Sequence, residues 1–330
     1  MSQMMKAVWY EKNGPAEKVL VAGEMPVPVP AAGQVLVRLH ASGVNPSDVK
    51  ARAGSRPMAF DRVVPHSDGA GIIEAVGGGA DPAMIGRRVY LRNGQWQRSF
   101  GTAAQYIALD EGLVHPLPDK VSFVTGAALG IPALTAAYAV LKDGPVDGET
   151  VLVHGAGGTV ARLAVQIAVD SGANVIATTG NMEKAGGINK AGAMAVLDYR
   201  DPGLVSAVAA VAGTAGVSRI IDSEVGANLA TSIDILRPKG TIVGYGSVLR
   251  PVTELPFLKM MFKNVTLSSI LVYLLEVDEA AAYADIVNDM LVRGVLNVPV
   301  DSLLPLAEAA RAHELVEREA RNGAVILEIE

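Results

Sequence analysis

Gly155, Gly157 and Gly158 stand between an apolar run, Val151-Leu152-Val153, and a stretch in which Val160, Leu163, Ala164, Ile167 and Ala168 recur at helical spacing. This order reads as strand, tight turn, helix. Small residues at such a turn let a pyrophosphate reach the backbone, and the helix N-terminus aims its free N–H groups and positive dipole end at it. The pattern is incomplete: Gly155-x-Gly157 lacks a third glycine in register, while Ala156-x-Gly158-x-x-Ala161 keeps the central glycine and a small residue at the close-packing position. The bland alternative is a turn that only punctuates strand and helix.

About twenty residues further on, an enzyme that binds NAD places an acid on the ribose 2′-OH. Here that place reads Thr178-Thr179-Gly180-Asn181, with no carboxylate ending the strand, and Lys184 follows one helical turn later. A missing acid and a nearby cation favour a 2′-phosphate, hence NADP(H); the alternative for Lys184 is a solvated helix residue. Gly244-Tyr245-Gly246-Ser247 follows another predicted strand and is a second candidate for lining the cofactor, or else a strand-ending turn.

Other chemistries find little support. The chain has no cysteine, which removes disulfides, thiolate-bound zinc and thiol nucleophiles, so redox chemistry requires a bound cofactor. His40, His66, His115, His154 and His313 are scattered, with no pair at metal-ligand spacing, and each reads as structural; no metal site is expected. The glycine turn carries no serine, so no nucleophile elbow is present.

The elements that must position these residues are those of a globular enzyme. With 330 residues, 50% hydrophobic and 19% charged, the chain has length for two domains, and its formal net charge of −6 argues against nucleic acid or an anionic membrane as partner. The N-terminus lacks the apolar core of a signal peptide, so a cytoplasmic protein is expected. The uncharged run 121–141 is long enough to consider as a membrane span, but Gly126, Gly130 and Pro132 dilute it and no second span accompanies it.

Short β-rich runs between turns fill the first third: Lys6 to Tyr10, Lys18 to Ala22, Gln34 to His40, Gly71 to Val76, Arg88 to Leu91 and Thr102 to Leu109. Met25-Pro26-Val27-Pro28-Val29-Pro30 is expected to be an extended connector. A helix is expected over Ala127 to Leu141. Strands then alternate with helices: after the glycine-turn unit come Asn174 to Thr178, Ala195 to Tyr199, Ser218 to Asp222, Thr241 to Tyr245 and Val265 to Val272. That alternation predicts a doubly wound parallel sheet. Helices over Glu279 to Arg293 and Leu306 to Arg318 precede a final apolar strand, Ala324 to Ile329, which most simply returns to the first domain.

Several motifs occur in an order that resembles a known family: Ala41-Ser42-Gly43-Val44-Asn45-Pro46-Ser47-Asp48, Asp68-Gly69-Ala70-Gly71-Ile72-Ile73-Glu74-Ala75-Val76-Gly77, Leu134-Thr135-Ala136, His154-Gly155-Ala156-Gly157-Gly158, Asp222-Ser223, Leu236-Arg237-Pro238-Lys239-Gly240 and Ala309-Ala310-Arg311-Ala312-His313-Glu314. Together they resemble the zinc-free quinone oxidoreductase, or zeta-crystallin-like, branch of the medium-chain dehydrogenase/reductase superfamily. The resemblance implies an α/β protein with a GroES-like β-rich catalytic domain (1–125 and 268–330) and a doubly wound Rossmann domain (126–267) that binds NADPH. Where zinc alcohol dehydrogenases carry a ligand cysteine this chain has Asn45, and the glycine-histidine-glutamate place reads His66-Ser67-Asp68.

Carried onto this sequence, the resemblance places Asn45 and Thr135 at the nicotinamide end and Ala156, Gly157, Gly158, Thr159, Val160 and Ala161 at the pyrophosphate. Gly180, Lys184 and Tyr199 fall around the 2′-phosphate, Gly244, Tyr245, Gly246 and Ser247 along the adenosine-diphosphate path, and the backbone of Ile270, Leu271 and Val272 at the carboxamide. Three departures stand out: Thr159 replaces a glycine in the turn, Lys50 replaces a frequent pocket aromatic, and Ala324 stands where a lysine often follows the last glycine. The implied activity is hydride transfer from NADPH to a quinone, with an α,β-unsaturated carbonyl as alternative acceptor and an NADPH-binding protein of little turnover as the rival of another class. A homodimer is implied through the edge strand Val265 to Val272.

Overall fold

Alternation in Gln34-Val35-Leu36-Val37-Arg38-Leu39 puts Val35, Val37 and Leu39 on one face, and all three are buried in the long strand β3 (Gln34–Val44). The computed structural model describes residues 3–318 and 321–330. Its first packing unit comprises Met1–Ile131, Leu275–Val292 and Val298–Glu330, and its second comprises Pro132–Leu274 with Arg293–Asn297.

In the first unit β1 (Met4–Trp9) pairs antiparallel with β2 (Val21–Pro26). A seven-stranded sheet contains β3, β4 (Asp68–Val76), β5 (Arg88–Leu91), β6 (Tyr106–Asp110), β7 (Val114–Pro116), β14 (Val300–Pro305) and β15 (Ala324–Glu328), in the order β14-β15-β3-β4-β5-β7 with β6 also on β3. The last strand does return to the first unit, pairing Val325 with Val44. Helices α1 (Ala16–Val19), α2 (Pro46–Ala53), α3 (Phe123–Gly126), α10 (Val277–Val292) and α11 (Ala309–Glu317) complete it.

In the second unit six strands, β8 (Thr150–Val153), β9 (Asn174–Thr179), β10 (Ala195–Asp198), β11 (Val217–Asp222), β12 (Leu236–Gly244) and β13 (Thr266–Ser269), lie in the order β10-β9-β8-β11-β12-β13. Every pairing is parallel, so all six carboxyl ends share one edge. Between and beside them run α4 (Pro132–Leu141), α5 (Thr159–Asp170), α6 (Ala185–Lys190), α7 (Leu204–Ala212), α8 (Val225–Ile235) and α9 (Phe257–Lys263). Leu152, Ile176, Ile220 and Ile242 fill a core against Leu229 and Ile233 of α8. This is the doubly wound sheet that the alternation predicts.

Local expectations fail where tertiary contacts override pattern. The expected strand Lys18 to Ala22 opens as helix α1, and β2 begins at Val21. The expected helix Ala127 to Leu141 is broken between Gly126 and Pro132, because Gly130 packs so tightly that a Cβ would lie 2.1 Å from the Leu91 carbonyl oxygen. Thr102 to Gln105 do not join β6: Thr102 bonds His66 through its amide and Asp68 through its hydroxyl. The strand expected over Val265 to Val272 shrinks to β13.

Candidate active site

The glycine turn leaves β8 and enters α5. Gly155 has φ +67°, a left-handed conformation that glycine adopts without strain, and Gly158 caps α5 with no side-chain bond. The first-turn amides of α5, Thr159, Val160 and Ala161, are therefore available to an anion at the carboxyl edge of the sheet. His154, just before the turn, is structural: Nδ1 meets Thr178 Oγ1 at 2.9 Å and burial lowers its pKa.

Thr179 and Lys184 lie beside this turn, and Tyr199 stands over Gly180. Thr179 Oγ1 accepts from the Asn181 amide at 3.1 Å, and Asn181 Oδ1 accepts from the Glu183 amide at 2.9 Å, a local turn that sets the short helical segment carrying Lys184. Lys184 then lies against the turn, its Cδ 3.1 Å and its Nζ 3.9 Å from where a Gly157 Cβ would be. Tyr199, at the end of β10, covers Gly180 so closely that a Cβ there would sit 2.3 Å from the phenol oxygen. The carboxylate that ends β10, Asp198, is paired with Arg200 at 3.0 Å, which holds it below its usual range. Arg200 was not anticipated from sequence; its signal is the Asp-Tyr-Arg run at the strand end. A cation, a phenol and a neutralised acid at the second and third strands suit a 2′-phosphate and fit poorly a bare 2′-OH.

Across the switch point, the Ile270 amide donates to the Gly244 carbonyl at 2.9 Å, which brings residues 270–272 to the end of β12. Ser247 Oγ accepts from the Gly226 amide at 3.0 Å, so Gly244 to Ser247 are tied to the start of α8. Gly246 needs its missing side chain, since a Cβ would lie 2.5 Å from the Ser223 carbonyl oxygen. Burial pushes the Tyr245 phenol up, beside Asp222. Thr135 is buried in α4, which packs against α5 and against residues 272–274. The second unit thus carries Thr135 and every expected cofactor residue, with the glycine turn, the Lys184–Tyr199 group and the Gly244–Val272 group all on strand ends of one edge.

Asn45 and Lys50 belong to the first unit. Asn45 caps α2; its amide N–H donates to Asp48 Oδ2 and its Nδ2 to Asp68 Oδ2, both at 2.8 Å. Both carboxyls are buried, which raises Asp48 to about 7 and Asp68 well above the usual range. Lys50 is exposed on α2.

A polar chain that sequence spacing does not show runs beside this cap. Thr102 Oγ1 donates to the Asp68 carbonyl at 2.5 Å, so it must accept from Ser42 Oγ, 2.8 Å away. With its own proton spent, Ser42 accepts from His66 Nδ1–H at 2.9 Å. His66 Nε2 is then bare and accepts from His313 Nε2–H at 2.8 Å. Burial keeps both rings neutral, His66 down to about 3 and His313 well below its ordinary value. The scattered histidines thus include a close pair, although each still reads as structural. Among the described residues no group of three His, Cys, Asp or Glu could hold a metal ion.

Comparison with known proteins places this geometry. The family described as Alcohol dehydrogenase GroES-like domain matches residues 31–119, and that described as Zinc-binding dehydrogenase matches residues 159–288. The quinone oxidoreductase of Pongo abelii is 32% identical over 98% of both chains, and that of Homo sapiens 31% over 98% of both. Among solved structures, the Escherichia coli quinone oxidoreductase complexed with NADPH is 28% identical with TM-score 0.87, covering 98% of this chain and 99% of that one. A mycobacterial protein complexed with NADPH is 29% identical with TM-score 0.86 over the same shares. The chain belongs to the quinone oxidoreductases of the medium-chain dehydrogenase/reductase superfamily.

Proposed function

We propose that this protein is an NADPH-dependent reductase whose acceptor is a quinone. The observation that carries the reading is the placement of Lys184 and Tyr199 beside Gly157 and Gly180, where a carboxylate would serve NAD. The fold and the quinone oxidoreductase relatives support it. When bound, NADPH supplies the hydride, so the chain's residues need only bind, orient and exclude water.

In this reading the amides of Thr159, Val160 and Ala161 hold the pyrophosphate, and Lys184, with Arg200 neutralising Asp198, holds the 2′-phosphate. Gly244 to Ser247 line the adenosine-diphosphate path, the backbone of Ile270 to Val272 orients the carboxamide, and Thr135 acts at the nicotinamide end. Asn45, whose amide Asp68 fixes, donates its second Nδ2–H to the oxygen on which charge develops. Lys50 stays a candidate only by its place in the family pattern. Both ends of the chain together build the catalytic domain.

Steady-state oxidation of NADPH and NADH against a panel of quinones and α,β-unsaturated ketones of matched size tests the reading. Faster NADPH oxidation with quinones than with enones is expected. No acceptor-dependent oxidation, or equal use of NADH, overturns it.

A further inference from the structure

A cavity of about 260 Å³ opens in the first unit, walled by Tyr10, Phe60, Trp96, Met58 and Ala51, with Arg56 at its side. It has room for the acidic arm of a small ligand and the near edge of its ring. Its walls are mostly apolar or aromatic, as small-molecule sites are. The Arg56 guanidinium lies over the Trp96 ring, 5.4 Å from its centroid, and forms no salt bridge among the described residues. A guanidinium stacked on an aromatic face keeps its in-plane N–H donors for a second partner, and their fork matches a carboxylate. Ala51 lies on α2, whose cap is Asn45, six residues or about 9 Å earlier along the helix. That span is the length of a quinone ring carrying a short acidic arm.

We propose that Arg56 is a specificity-determining residue and that the preferred acceptor is a single-ring quinone bearing a carboxylate, its acidic arm in this cavity on Arg56 and its ring toward Asn45. The inference rests on the reading above for the acceptor's redox chemistry, whereas binding of the acid is measured apart from turnover.

The turnover arm compares 1,4-benzoquinone with a carboxymethyl arm against its carboxamide, two molecules of nearly equal shape. The wild-type enzyme is expected to favour the acid in kcat/KM by about tenfold or more, a charge-assisted contact against a neutral one. Arg56→Gln should bring the ratio near unity, and Arg56→Lys should leave an intermediate ratio, because a point charge lacks the fork. Arg56 is exposed, so its replacement does not threaten the fold.

The binding arm uses phenylacetate, which cannot be reduced, and follows Trp96 fluorescence in a Trp9→Phe background, Trp9 being the other tryptophan. Saturable quenching by phenylacetate, absent with phenylacetamide and lost in Arg56→Gln, supports the proposal. Turnover of both quinones with equal efficiency, a preference that survives Arg56→Gln, or no quenching overturns it. If neither quinone is reduced while phenylacetate binds through Arg56, the functional reading fails and the anion site stands.

Discussion

Lys184 rests on the glycine turn, its Cδ 3.1 Å from the position a Gly157 Cβ would take, so the cation and the turn form one surface although 27 positions separate them. The contact is made by the turn at Asn181, which bends the chain back after β9.

Removing this cation should cost NADPH selectively. Lys184→Ala is expected to raise the KM for NADPH about tenfold to a hundredfold, the worth of one charge-assisted phosphate contact, and to change that for NADH by less than about twofold. Initial rates with each cofactor at saturating acceptor check it. Equal losses would show that Lys184 serves the fold or the pyrophosphate.

The glycine turn and the position of Lys184 were legible in the sequence because both depend on local spacing: a strand, a change of period, and a cation one helical turn beyond the next strand. Asn45 was legible only as a position. Its hold on Asp68 spans 23 residues, and the His66–His313 contact spans 247, so no local pattern encodes either. The Asn-x-x-Asp spacing of Asn45 and Asp48 is a capping signal that could have been read. Gly130 falls inside the helix expected over Ala127 to Leu141, and only the approach of the Leu91 carbonyl shows why the helix is broken there.

That approach makes Gly130 intolerant of a side chain. A Cβ would stand 2.1 Å from the Leu91 carbonyl oxygen and 2.5 Å from Asp68 Oδ1, and the carbonyl belongs to β5, which cannot move alone. Gly130→Ala should destabilise the protein by about 3 kcal/mol or more, the upper range for overpacking. Urea unfolding is the measurement; a midpoint equal to that of the wild type would contradict the packing described.

The buried acids and histidines tilt stability with pH in opposite senses. Asp48 has a folded pKa of about 7, above its ordinary value of 3.8, so the folded state binds the extra proton between these values and Asp48's contribution is lost as pH rises through 7. His66 has a folded pKa of about 3, below its ordinary 6.5, so its contribution is lost as pH falls below 6.5. Asp48→Asn keeps an acceptor for the Asn45 amide while removing the titration. Its Tm relative to the wild type should therefore climb between pH 4 and pH 8, by several degrees, the size of a shift of a few kcal/mol. Thermal unfolding at matched ionic strength checks it, and a difference independent of pH would refute an Asp48 carboxyl raised by burial.

The last prediction concerns assembly. Strand β13 forms the edge of the second unit's sheet, and Leu267 on it is exposed, as are Phe257, Leu258, Met261 and Phe262 on the adjoining helix α9. An open strand edge beside a cluster of exposed apolar side chains is a surface that soluble proteins seldom leave bare. A second copy of the same edge would cover it by continuing the sheet through a two-fold axis. Phe262 is 83% exposed, so its side chain contributes little to the fold of one chain and much to such an interface. We therefore expect a dimer by sedimentation equilibrium at micromolar concentration. Phe262→Glu should shift it toward monomer by at least about tenfold in Kd, because it sets two carboxylates in an apolar contact, while the thermal unfolding of the monomer stays intact. A wild-type monomer, or an unweakened Phe262→Glu dimer, would exclude this face.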